Sequence, residues 1–171
     1  MTPIRRTHLI QVYFAADQFY AVGLVQQANL AWKGVGPVRQ AAAEDVQSLA
    51  QAIEAARSVS RPFTRAAPPM IPPDLIRPWD GEYQDVPKQA TKAWSVAWYE
   101  DGRAVIEPQE QLPPSNDPAS AGSVGWRRIV GAEIALEMSV ASIALAERLM
   151  GAIVSTVGKE KPPCSPKSVE S

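Results

Sequence analysis

A single histidine, His8, and a single cysteine, Cys164, are all the imidazole and thiol that 171 residues offer. One histidine cannot build a two- or three-histidine zinc site, and no second cysteine is present to help. One cysteine also excludes an internal disulfide and fits a reducing compartment. An excess of charge of either sign is missing too. Seventeen Lys and Arg against eighteen Asp and Glu leave a net charge of −1, with no acidic or basic tail. Capture of DNA or RNA needs clustered cations facing phosphates, so no nucleic-acid partner is expected. The N-terminus carries Arg5 and Arg6, but Asp17 and Gln18 interrupt before an apolar signal core can form, so no signal peptide is read.

Catalytic patterns are equally thin. No glycine-rich phosphate loop occurs. Ala121-Gly122-Ser123-Val124-Gly125 resembles a nucleophile elbow with Ala in place of the first Gly, but a Pro/Ser loop precedes it and no histidine follows it. Cys164 sits in the tail with no imidazole nearby to make a thiolate. Glu133 and Glu137 fall one turn apart on an expected helix and read as a solvated polar stripe, because the Glu-x-x-His partners of a carboxylate metal site are absent. The expectation is a protein that is not an enzyme, with no catalytic, cofactor-binding or metal-binding residues.

What is present is enough for a core. Hydrophobic residues make up 46% and charged residues 20% of the chain, which suits one folded domain over residues 1–157 with a disordered tail over 158–171. His8 to Ala15 is rich in β-branched and aromatic residues. Ile10, Val12 and Phe14 would face one way, and Leu9, Gln11 and Tyr13 the other. Phe19 to Gln26 reads as its hairpin partner, because Tyr20, Val22 and Leu24 alternate with small Ala21 and Gly23. A helix from Asp17 to Lys33, ended by Gly34, is the rival reading. Gly34, Gly36 and Pro37 then break the chain.

Glu44 to Arg57 is the clearest helix in the first half. Val46, Leu49, Ala50 and Ile53 share a face, the acids sit near its N-terminus and Arg57 near its C-terminus. Lys92 to Pro108 reads as a hairpin turning at Asp101-Gly102, pairing Trp98 with Val105 and placing Trp94, Val96 and Trp98 on one face. Pro108 would end its second strand, and residues 108–125 read as a loop. Trp126 to Val157 reads as one long, mostly buried C-terminal helix. Glu133, Glu137, Glu147 and Arg148 leave too short an uncharged run to span a membrane. The expected fold is α+β, with antiparallel hairpins packed on one short helix and that long helix.

Between them lies a proline-dense piece, residues 61–87, that should be extended and lie across the domain. Its end, Pro78 to Pro87, sets Trp79 and Tyr83 among Asp80, Glu82 and Asp85. Large rigid rings with a polar atom are favoured interface anchors. These five residues are therefore the candidate partner-binding site; the competing view turns both rings inward and leaves the acids to solubilise a loop.

Three stretches carry a family resemblance: the helix running into Ser60-Arg61-Pro62, the piece Ala67 to Asp74, and Val86 to Ile106, where Val86, Lys88, Lys92 and Trp94 match a V-x-K…K-x-W pattern. In these the chain resembles small bacterial immunity proteins of contact-dependent growth inhibition systems, over roughly Ser48 to Ile106. The resemblance implies a cytoplasmic protein that binds and neutralises one cognate toxin, often a nuclease. The alternative is a homo-oligomeric scaffold component, a homodimer associating through the apolar helix 129–157.

Overall fold

Strand β1 (Arg6–Ala15) and strand β2 (Gln18–Gln26) form a hairpin rather than a helix. The turn residues Ala16 and Asp17 both adopt left-handed φ, 49° and 60°. That conformation matches the right-handed twist of the flanking strands. The expected alternation holds: Ile10, Val12 and Phe14 enter one core cluster, whereas Tyr13 and Ala15 enter another on the opposite face. The computed structural model describes residues 3–113, 125–136 and 141–160, with side chains as far as Ile153.

Gly34, Gly36 and Pro37 do not break the chain. They lie within β3 (Trp32–Ala42), which pairs antiparallel with β2 across a register shift between Ala21 and Gly23; the peptide before Pro37 is cis. A strand tolerates proline and glycine at a sheet edge, where one side of the backbone needs no ladder partner, and β3 is an edge strand.

Helix α1 (Val46–Val59) follows. Asp45 caps it by accepting the Ser48 backbone N–H at 3.0 Å and the Ser48 hydroxyl at 2.7 Å, bonds that hold the Asp45 carboxyl below its usual pKa. Its buried face is Leu49, Ala50, Ala52, Ile53 and Ala56. At Gly23 the helix comes so close to β2 that an added Cβ would overlap the Ala56 carbonyl oxygen. Only glycine permits that approach.

The proline-dense piece crosses the second face of the sheet as a strap. It holds two single 3-10 turns, Pro73–Leu75 and Gly81–Tyr83, and ends in the short helix α2 (Val86–Gln89). Met70, on this piece, is 95% exposed.

Strands β4 (Lys92–Tyr99) and β5 (Ala104–Gln111) form the second hairpin, with a register one residue away from the expected one. Trp98 lies opposite Ala104, not Val105, because the Tyr99 N–H donates to the Arg103 carbonyl and the Gly102 N–H to the Tyr99 carbonyl around a three-residue loop. Gly102, at φ 90°, supplies the left-handed residue of that loop. The slip decides which residues are inside: Ala104 and Ile106 join Trp94, Val96 and Trp98 in the core.

Pro108 does not end β5. Its carbonyl accepts the Ile129 N–H at 2.9 Å, so its missing donor falls on the outer side, beyond the three-residue partner strand.

The long C-terminal helix is also corrected. Trp126–Arg128 and Ile134–Leu136 are strands, β6 and β7, which pair with opposite ends of β5; the helix α3 runs only from Ser142 to Glu160. Gly131, at φ 85°, is left-handed and incompatible with a continuous α-helix. Leu145, Ala146 and Leu149 of α3 are buried in the same cluster as Leu49 and Ile53 of α1, with Ile143, Met150, Ala152 and Ile153 packed against it, while Glu147 and Arg148 are exposed.

The result is α+β: an antiparallel sheet in the order β3-β2-β1-β4-β5-β6, with β7 also on β5. The two longer helices join the core on its first face, and the strap lies on its second. Among the described residues no helix is long and apolar enough to cross a membrane.

Candidate functional site

The five candidate residues lie on the strap, and the structure divides them. Trp79 and Tyr83 turn inward; Asp80, Glu82 and Asp85 are exposed. Trp79 meets the edge of Tyr13 with centroids 4.9 Å apart, and Tyr13 in turn meets Trp126 at 5.8 Å. The Trp126 indole N–H donates to the Pro87 carbonyl at 3.0 Å, which ties this run of rings back to the strap. Tyr83 contacts Tyr20 at 6.0 Å. Edge-to-face pairs of this kind add about 0.5–1.5 kcal/mol each beyond the area they bury.

Local sequence explains the geometry. Pro78 fixes the chain as it reaches the sheet and rests near Gly34 and Gly36 of β3, where the absence of side chains leaves room. Gly81, at φ 71°, reverses the backbone between the two rings. Val86 and Ala90, both buried, pin the α2 end, and the Thr91 N–H donates to the Phe14 carbonyl at 2.9 Å. Burial pushes the Tyr13 phenol up to about 12. Tyr83 is raised by burial first and then by the adjacent Glu82 carboxylate. Both therefore carry their protons at neutral pH. The acids make little use of one another or of nearby cations: Arg77 and Asp80 stand 4.0 Å apart, both largely in solvent.

Past the strap, the second face turns polar. Glu107, 5% exposed, accepts the Ser95 hydroxyl at 2.9 Å and faces Arg6 at 3.5 Å and Arg128 at 3.4 Å. Gln11 donates to Gln109 at 2.6 Å beside it. Ser95 has a carboxylate but no imidazole. His8 is on the other side of the sheet, edge-on to Trp98 at 6.4 Å, with its pKa lowered by burial and by Arg57 and Arg61. The base nearest the Ser95 hydroxyl is the Glu107 carboxylate, which Arg6 and Arg128 also engage. Glu133 pairs with Arg128 at 3.7 Å ahead of β7; Glu137 and the segment Ala121 to Val124 lie outside the described residues. Among the described residues no three His, Cys, Asp or Glu side chains gather as metal ligands would.

Sequence reasoning missed the partners on the sheet. Tyr13 and Tyr20 had the right parity for the second face, but nothing local to the strap indicates which rings meet. The ring Trp126 and the cluster around Glu107 depend on β6 pairing with β5, a contact between segments far apart in sequence.

No family profile matches the sequence, and no curated protein matches it. The fold is similar to that of a protein of unknown function from Neisseria meningitidis, with a TM-score of 0.60 over 91% of this chain and 98% of that one. The two share 11% identity, so the likeness is one of fold alone.

Proposed function

We propose that the protein acts by binding another protein, not by turning over a substrate, and that the partner is a cognate toxin whose basic surface it blocks. The observation that carries this reading is the anchored strap. Its two rings are fastened to the sheet, so Asp80, Glu82 and Asp85 are held outward on backbone that is already ordered. Preordering removes part of the entropic cost of association. Exposed carboxylates with so little local neutralisation suit a cationic cleft, such as one that grips nucleic acid. Complementarity of that kind chiefly speeds encounter and excludes wrong partners. The resemblance of Ser48 to Ile106 to contact-dependent growth inhibition immunity proteins supports the same reading, which places the protein in the cytoplasm.

The reading predicts a toxin gene adjoining this one, and the test is co-expression with the active domain of that toxin. Protection from growth arrest and a stable complex are expected; an unprotected culture overturns the reading. Within that complex, the combined variant Asp80→Ser, Glu82→Ser and Asp85→Ser should melt as the parent does. It should associate about tenfold more slowly at low salt, with the gap closing as salt rises. Unchanged association would remove the strap from the interface while leaving the function intact.

A further inference from the structure

At the end of the sheet where β1 begins, the first hairpin splays open. β1 starts at Arg6, but its pairing with β2 starts only at Leu9 opposite Leu24. The opening is wedged apart by the chain leaving α1. The Ser60 hydroxyl accepts the Leu9 N–H at 2.8 Å and donates to the Leu24 carbonyl at 2.7 Å. Beyond it, Arg61 bridges to the end of β2, and the Phe63 N–H donates to the Gln26 side chain at 3.1 Å. The wedge leaves a groove of about 1020 Å³. Its apolar lining includes Leu30, Trp32, Pro62 and Phe63, and Arg5 and Arg65 stand at its rim.

Two observations bear on what fills it. First, Leu30 is 67% exposed and held at φ 69°, a conformation in which a bulky residue is strained. Hydrogen bonds from the Leu30 N–H to the Gln27 carbonyl at 2.8 Å, and from the Gln26 amide to the Leu30 carbonyl at 3.2 Å, keep it there. The loop thus holds an apolar side chain in water at the groove wall. Second, the rim charge is one-sided. Three arginines, Arg5, Arg6 and Arg65, face one carboxylate, Glu100, among the lining residues. Arg6 is engaged with Glu107, but among the described residues neither Arg5 nor Arg65 has a carboxylate within ion-pair distance.

We propose that this groove is a second interaction surface, separate from the strap, and that it takes an extended acidic peptide segment with a large apolar side chain between its carboxylates. The apolar side chain would pack against Leu30 and against the rigid rings of Trp32 and Phe63. The flanking carboxylates would pair with the planar guanidinium groups of Arg5 and Arg65, each able to bind one through two parallel hydrogen bonds. A nucleic-acid strand fits less well, because it would leave Leu30 and Pro62 without an apolar partner.

The test uses the full chain and a fluorescein-labelled synthetic peptide with one phenylalanine between glutamates, read by fluorescence anisotropy. Saturable binding is expected, together with none for the same peptide carrying lysines in place of the glutamates. Arg5→Glu with Arg65→Glu should weaken binding about tenfold or more without changing the thermal melt, because both side chains are in solvent. Leu30→Ser should weaken it as well. The strap variant should bind the peptide as the parent does, so the strap and the groove can fail separately. Absence of saturable binding, equal binding of the lysine peptide, or tighter binding of an oligothymidylate would overturn the proposal. So would a concentration-dependent oligomer that the double arginine variant dissolves, since the groove would then belong to a second copy of the chain.

Discussion

One sheet carries two faces built by opposite means. On the first, Ile10, Val12, Phe19, Val96 and Ile106 meet Leu49, Ile53, Leu145 and Leu149, all at 1% exposure or less. On the second, the rings of Trp79, Tyr83, Tyr20 and Trp126 are half-buried under a strap that has only short turns of its own, and the remainder is a hydrogen-bonded charge cluster around Glu107. Close packing of aliphatic groups supplies most of the free energy of folding. A face of aromatic edges and paired charges supplies less, but it fixes where the exposed groups of the strap stand. The first face therefore sets whether the chain folds, and the second sets what it presents.

The widest gap between the faces should appear on truncating one ring from each. Phe19→Ala removes a fully buried ring and should cost about 3–5 kcal/mol in denaturant unfolding. Trp79→Ala removes a half-buried ring and should cost only about 1–2 kcal/mol while loosening the strap. Equal losses would break the comparison. A smaller effect is expected for Glu107→Gln. It leaves Arg6 and Arg128 without their carboxylate, but both reach solvent, so about 1–2 kcal/mol is expected rather than the full penalty of a buried unpaired charge. A loss as large as that of Phe19→Ala would mean that the second face is also a main source of stability.

The smallest effect is a pH dependence confined to the first face. His8 is held below the ordinary imidazole value of 6.5, chiefly by burial and then by Arg57 and Arg61; the Trp98 ring and the Thr7 hydroxyl are its other neighbours. Because its folded pKa lies below its unfolded one, the unfolded chain binds the proton first. Stability should be full above about 6.5 and decline as pH falls through that value, and His8→Gln should remove this component of the decline. A melting temperature that is flat with pH from neutrality to below the histidine range would discard it.

How much of this was legible in the sequence follows from where the information lies. Strand alternation from Leu9 to Phe14 and from Trp94 to Trp98, and the spacing of Val46, Leu49, Ala50 and Ile53, are local patterns and were read correctly. β3 was hidden because Gly34, Gly36 and Pro37 are punctuation in any local reading, and only its edge position makes them tolerable. β6 and β7, three residues each, exist through pairing with β5, while their apolar composition imitates a helix. The Asp101-Gly102 turn was recognised, but its loop length was not, and one residue of error exchanged Val105 for Ala104 opposite Trp98. On the strap, the residue types were legible and their orientation was not: the sequence places two rings among three acids, and only the sheet beneath separates them.

The edge strand β3 has one more consequence. Exposed strand edges invite neighbouring copies to add on and grow into fibres. Here the outermost strand carries Pro37, which has no amide hydrogen to offer, and its charged residues Lys33 and Arg39 stand exposed. An incoming strand would meet a gap in the ladder and two repelling cations on its own copy of the same edge. The glycines and proline that obscured β3 thus leave its open border a poor template for polymerisation.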